Sequence, residues 1–375
     1  MILEFILTKR IHHSYLIDLN NYDSLSKGKL RSVIVLDIKK ANIKDVAKKA
    51  NVSTATVSNV MNSSRFVKEE TRLRVLKAME ELNYRPSTVA KSLKGKDTKV
   101  IGLIIPIRPN DTSVDFFISL SNGVESALNN VGYRLVISNS HENLKNELDQ
   151  IDMYNTQFMD YIDGLIIAPT SKIGNEPTES KNINYPVVYV DRKPNTKNKL
   201  DTIYTNNYFV TYEAIEMILK KKRKKIAFIS GPIDVSSTIE RFEAYKDVLR
   251  KYQIPLSEEL IFVGESSFES GYEIASQLVS NQEIDGIVVV NNTISMGVFK
   301  YLKEKNIQIP NDVSFLSYDD FHWMELTEPS ITTIKQPSFE MGQAAAKLLL
   351  EKLENNKKEP TEICIESSII FRNSL

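Results

Sequence analysis

The most chemically pointed stretch of the chain is STATVSNV (53–60), where Ser53, Thr54, Thr56, Ser58 and Asn59 crowd around two apolar anchors, Val57 and Val60. Side chains of this size offer hydrogen-bond donors and acceptors without bulk, which suits base edges and phosphate oxygens. They suit a core poorly, and no nucleophile–base pair or metal-ligand spacing accompanies them that would turn them to catalysis. Just upstream, Ile43, Val46, Ala47 and Ala50 recur at helical spacing, and Asn51 suits a left-handed turn. Ser53 is a good N-cap for the next helix. Two short helices joined by a turn, the second one polar, predict a helix-turn-helix that lays its second helix in a DNA major groove.

A reading helix needs elements to hold it. A third helix is predicted from about Lys68 to Leu82, with Val75, Leu76, Met79 and Leu82 inward, and Tyr84-Arg85-Pro86 ends it because proline disfavours helix in the residue before it. STVAKSLKGK (87–96) predicts one more short helix, capped by Ser87 and ending at Gly95. Beyond Thr98 the texture changes. VIGLIIP (100–106), YRLVIS (133–138), DGLIIAP (163–169), PVVYVD (186–191), KIAFISG (225–231), DGIVVV (285–290) and DVSFLSYD (312–319) are short runs rich in valine and isoleucine. Amphipathic segments at 117–131, 142–159, 207–220, 239–252, 270–280 and 294–305 alternate with most of them. Strands buried on both faces and alternating with helices predict parallel, doubly wound sheets. They are too many for one comfortable sheet, so two similar subdomains with a ligand cleft between them are expected. Open α/β sheets bind ligands beyond the carboxyl ends of their strands. That rule puts residues 106–115, Asp191, residues 231–241, Asn291, Asn292 and residues 318–320 near the cleft.

Net charge is zero over 375 residues, yet it is unevenly spread. Residues 42–99 hold 13 lysines and arginines against six acids, a net +7, and residues 100–375 carry −10. A basic DNA-binding head on an acidic regulatory body has this asymmetry. The single cysteine, Cys364, excludes an internal disulfide framework and a multi-cysteine zinc site, and four histidines make a histidine metal cluster a poor reading. No apolar run approaches the roughly 18 residues of a membrane span, so a cytoplasmic protein is the simplest expectation. Residues 1–41 read as a disordered leader or an upstream misassigned start: the apolar stretch Ile2–Leu7 is short, its positive charge follows it, and no cleavage site appears. The run KKKRKK (220–225) reads as a solvated helix end, and Met153, Tyr154 and Phe158 as helix packing.

IKDVAKKANVSTATVSNVMN (43–62), FVKEETR (66–72) and NYRPSTVAKSLK (83–94) together resemble the LacI/GalR family of bacterial repressors, the head being especially similar to that of the purine repressor. The resemblance runs over roughly residues 42–375. It implies a helix-turn-helix domain (42–86), a hinge helix and linker (87–98) and a periplasmic-binding-protein-like effector domain (99–375). Within the last, residues of about 99–204 and 332–358 would form one subdomain, and 205–331 and 359–375 the other. It further implies a homodimer on a palindromic operator. Thr54, Ala55 and Asn59 fall where the family varies base recognition, while Ser53, Thr56, Ser58 and Asn62 match phosphate-contacting or capping positions. Leu93 matches a leucine that wedges into the minor groove, with Lys91 and Lys94 beside phosphates. In the body, Arg241 in STIERFEAY (237–245) matches a guanidinium that holds effector hydroxyls or carboxylates, and Asp319 in SYDD (317–320) an acceptor of effector hydroxyls. Asn291 matches a polar cleft residue, Phe116 and Phe117 an aromatic cover, and Trp323 lies just after the Asp319 loop.

The resemblance therefore implies a ligand-responsive repressor without catalysis, metal or cofactor, and with no membrane partner. A neutral sugar or sugar derivative is the expected effector; Ser266, where the lactose and purine repressors carry an aromatic residue, weighs against a purine. Two alternatives share the body. A catabolite-control regulator would use a phosphorylated carrier protein, but residues 322–325 here are His-Trp-Met-Glu where that surface is basic. A sugar-binding transport protein would have no use for residues 42–94.

Overall fold

The computed structural model describes residues 41–62, 65–82, 84, 98–109, 113–156, 161–170, 183, 185–194, 196, 198–281, 283–355 and 359–375. The chain divides after Pro86 into two compact units.

The first unit contains α1 (Ile43–Ala50), α2 (Thr54–Asn62) and α3 (Glu69–Glu81). Asn42 starts α1 through a capping box: its side chain accepts from the backbone N–H groups of Lys44 and Asp45, and the Asp45 carboxylate accepts from the Asn42 N–H. Asn51 ends the helix in the left-handed conformation, at φ 52°, as its residue type predicts. The Ser53 hydroxyl accepts from the Thr56 N–H at 3.1 Å and so caps α2. Val46, Ala47, Ala50, Val57, Val60, Val75 and Ala78 form the core. Leu76, expected inward, is instead exposed on α3. A 3.6-residue period leaves Val75 and Met79 facing the small core and swings Leu76 to its side. The expected hinge helix, with Lys91, Leu93 and Lys94, lies outside the described residues, as do residues 1–40 and Phe158.

The second unit runs β1 (Val100–Ile105), α4 (Val114–Asn129), β2 (Arg134–Asn139), α5 (Leu144–Thr156), β3 (Gly164–Ile167), β4 (Val187–Val190) and β5 (Thr202–Thr205). It continues through α6 (Asn207–Lys220), β6 (Ile226–Ser230), α7 (Ser236–Lys251), β7 (Ile261–Val263), α8 (Phe268–Asn281) and β8 (Gly286–Val289). Then follow α9 (Asn292–Glu304), β9 (Ser314–Tyr318), α10 (His322–Glu325), β10 (Thr332–Lys335), α11 (Ser338–Asn355), β11 (Glu362–Ile365) and β12 (Ser368–Ile370). Two six-stranded sheets result, ordered β11-β5-β4-β3-β1-β2 and β12-β10-β9-β8-β6-β7. Every neighbouring pair is parallel except β10 and β12. Each sheet repeats one winding, so β1, β3 and β4 correspond to β6, β8 and β9.

The expected subdomain boundaries need correction. Residues 332–335 are expected in the first subdomain, yet β10 pairs with β9 in the second sheet, and β11, expected in the second, pairs with β5 in the first. Only α11 returns to the first subdomain between them, where its Met341, Ala345 and Leu349 enter the core under α4. The chain therefore crosses between subdomains after β5, after β10, after α11 and its following strand β11. Helix pairs hold the two layers at matching places. A Cβ at Gly342 would come 2.0 Å from the Leu120 carbonyl, and one at Gly297 2.0 Å from that of Phe268. The α4–α11 and α8–α9 crossings thus both need backbone-to-backbone approach.

Candidate functional site

Strand ends from both sheets converge on one cleft, lined among others by Ser113, Phe116, Phe117, Asp191, Arg192, Arg241, Ser266, Asn291, Asn292, Asp319 and Gln336. Arg241, on α7, is only 7% exposed and is fixed on three sides. Its Nε donates to Asn207 Oδ1 at 2.9 Å, Nη1 to the Val290 carbonyl at 2.9 Å and Nη2 to Gln336 Oε1 at 3.2 Å. The guanidinium also lies over the Tyr318 ring, 3.7 Å from its centroid. Three of its five N–H groups make these hydrogen bonds.

Asp319 follows β9 in the left-handed conformation, φ 61°. Its carboxylate accepts from Gln336 Nε2 at 2.7 Å and from Asn292 Nδ2 at 2.8 Å. Gln336 therefore joins Arg241 to Asp319, and both charged groups are oriented before any ligand arrives. Asn207 and Gln336 stand at crossovers, directly after β5 and β10, and Thr205 also donates to Gln336, at 3.4 Å. The ligand-facing network is thus hydrogen-bonded into the connections between subdomains.

The first subdomain answers with Asp191, after β4, also left-handed at φ 72°. Asp191 and Asp319 occupy equivalent places in the two windings, and aspartate tolerates this conformation better than most residues. Burial pushes the Asp191 carboxyl up, against the pull of Arg192 and Arg241. Arg192 is itself held by Glu142 at 2.6 Å and the Pro169 carbonyl at 3.2 Å. Glu147 lies behind it, fully buried, with one oxygen accepting from the Thr170 N–H and hydroxyl and the other without a hydrogen-bond partner among the described residues. Burial raises its pKa as well, overriding the Thr170 hydrogen bonds.

Of the effector residues expected from sequence, Phe116, Phe117, Arg241, Asn291 and Asp319 come together in this cleft. Phe116 and Phe117 also belong to the core and meet edge to face, 5.1 Å apart. Asn291 caps α9 by accepting from Ile294 and donates to Ser266 Oγ at 3.3 Å. Trp323 is not in the cleft lining: it packs into the second subdomain's core, 6.4 Å from Phe299. The short α10 begins right after the Asp319 loop and turns the indole inward. Arg192, Asn207 and Gln336 were missed; the last two follow the short strands β5 and β10, which carry no long apolar run. Four of the six KKKRKK cations have structural partners among the described residues, Lys221 donating to the Leu375 carbonyl. Lys220 pairs with Glu216, Lys225 with Glu283, and Arg223 donates to the carbonyls of 310–312.

In the head, Ser53, Thr54 and Ala55 are exposed at the start of α2, and Thr56, Ser58 and Asn59 are half-buried along it. Ser53 and Thr56 hydroxyls bond each other at 2.9 Å. The Asn62 side chain lies outside the described residues.

A model of the lacI family of bacterial regulatory proteins matches residues 42–87, and a periplasmic binding protein-like domain matches residues 215–375. A ribose operon repressor from Bacillus subtilis (strain 168) is 33% identical over 335 residues, 88% of this chain and 97% of that protein. The chain belongs to the LacI family of bacterial regulatory proteins. An HTH-type transcriptional repressor PurR from Vibrio atlanticus (strain LGP32) is 32% identical over 338 residues, 89% of this chain and 98% of that one. A LacI family transcriptional regulator from Enterococcus faecium, solved with bound ribose, superposes with a TM-score of 0.62 at 27% identity, over 73% of this chain and 98% of that one. As a family member this chain is a DNA-binding transcriptional repressor with a ligand-binding body. No helix among the described residues is long and apolar enough to cross a membrane.

Proposed function

We propose that the repressor binds a palindromic operator as a homodimer, in the cytoplasm and without catalysing a reaction, and that a neutral sugar in the cleft sets its operator affinity. The observation that carries this is the Arg241–Gln336–Asp319 network, which presents a donor fork and an acceptor carboxylate side by side and is tied to the subdomain crossovers. Vicinal hydroxyls are both donors and acceptors and satisfy such a pair. Two cations, Arg192 and Arg241, and two anions, Asp191 and Asp319, line the cleft, which favours an uncharged ligand. The ribose-binding and ribose-named relatives agree with that class; the purine repressor at similar identity keeps a purine as the competing ligand.

Thr54, Ala55 and Asn59 would read bases while Ser53, Thr56, Ser58 and Asn62 hold phosphates or the helix start. Leu93 would wedge the minor groove at the operator centre, flanked by Lys91 and Lys94 on phosphates. A dimer contact on the first subdomain is supported by β2, an edge strand with Val136 and Ile137 exposed, and by exposed Ile118 and Phe339 on helices of the same subdomain. Operator selection from random DNA with the purified protein, repeated with ribose, other sugars and purines, tests the reading. A palindrome is expected to be enriched and its enrichment to change with a sugar. Enrichment of nothing, under any condition, would sink the repressor mechanism; a response to purines alone would sink the sugar.

A further inference from the structure

The cleft does not end at the Arg241 network. A second chamber adjoins it, lined by Arg108, Glu142, Leu144 and Thr170 from the first subdomain and by Pro232 and Asp234 from the second. Arg192, Ser266 and Asn291 border both chambers, so the two are continuous. Counting the open mouths, the second is as roomy as the first, about 710 Å³ against about 610 Å³. Ser266 stands at the junction with its hydroxyl turned against Gly231, where a Cβ would meet it at 2.7 Å, so only a small side chain borders the passage.

The charges in this chamber are used unequally. Glu142 is committed to Arg192 at 2.6 Å. Arg108 and Asp234, half-buried and contributed by opposite subdomains, have no hydrogen-bond or ion-pair partner among the described residues. Both side chains therefore keep their hydrogen-bonding groups available to a ligand in the chamber. One carries only donors and the other only acceptors, and the lining sums to no net charge. An anionic ligand would satisfy Arg108 and be repelled by Asp234. A second polyhydroxylated ring satisfies both.

Resting on the sugar reading above, we propose that the effector is a disaccharide or larger neutral glycoside, with one ring on the Arg241–Asp319 network and the next between Arg108 and Asp234. Such a ligand spans the two subdomains at two places rather than one, so the second ring adds to closure as well as to affinity.

The test is calorimetric titration of the full-length protein with ribose, glucose and galactose, and with cellobiose, maltose, lactose and trehalose. At least one disaccharide is expected to bind roughly tenfold or more tightly than its component monosaccharide, the size of one or two charge-assisted hydrogen bonds. Arg108→Gln and Asp234→Asn, shown folded by their melting curves, should each bring that ratio down toward one. Monosaccharides binding as tightly as every disaccharide, or a ratio unmoved by both substitutions, would overturn the proposal and leave the sugar reading standing. Binding of no carbohydrate at all would overturn both.

Discussion

Arg241 concentrates the residue-scale argument, because one guanidinium is stacked, triply hydrogen-bonded and faces the cleft. Lysine keeps the charge but not the planar fork. Arg241→Lys is therefore expected to weaken the effector by about 1.5–3 kcal/mol, the range for hydrogen bonds to charged groups, as read by calorimetry with the sugar that binds best. An unchanged affinity would remove Arg241 from the site. Glu147 makes a different prediction. Its folded pKa is raised by burial, so the folded state holds its proton more tightly than the unfolded chain does. Stability contributed in this way is full below the usual carboxylate range and is lost as pH rises through the raised value. Glu147→Gln, which keeps an acceptor for Thr170, should flatten that decline in urea melts taken from acid to neutral pH; an identical pH profile would show that the carboxyl does not titrate there. Sequence exposed Arg241 and Asp319 because distinctive motifs surround them. It concealed Glu147, whose meaning depends on Thr170, 23 positions away and reachable only once β3 is placed.

At the scale of elements, the small head was readable almost residue by residue. Its caps are local: Asn51 supplies a left-handed turn and Ser53 an N-cap within three residues of its partner. Ser53→Ala is accordingly expected to cost the head about 1 kcal/mol, measured as a lower melting temperature. The long valine- and isoleucine-rich strands were equally plain. The three-residue β7 and β12 hid, as did β5, β10 and β11, four residues each, whose membership in a sheet is decided by pairing rather than by their own composition. Because β5, β10 and β11 lead into or follow the crossovers, the subdomain boundaries were misread along with them, and Asn207 and Gln336 went unseen. The helix crossings offer an independent check on the fold. Gly342→Ala places a methyl against the Leu120 carbonyl, and since backbone cannot swing away as a side chain can, overpacking of about 1–3 kcal/mol or more is expected. Wild-type stability in that variant would mean that α4 and α11 do not cross as closely as described.

For the whole molecule, the charge division fits its two tasks. A head of net +7 supplies the phosphate attraction, and an acidic body limits unspecific association with DNA. Ligand control requires one physical link between them: a sugar that prefers one subdomain arrangement must shift the population of that arrangement. The link begins in the Asn207–Arg241–Gln336–Asp319 chain, because two of its four members sit at crossovers. Thermodynamic reciprocity then sets the most direct measurement. Operator affinity is titrated by fluorescence anisotropy with and without saturating sugar, and sugar affinity by calorimetry with and without saturating operator. The account predicts that both affinities change by the same factor, roughly 5–150-fold for couplings of typical size, and that Gln336→Ala shrinks that factor. A sugar that binds the cleft tightly yet leaves operator affinity unchanged would contradict it.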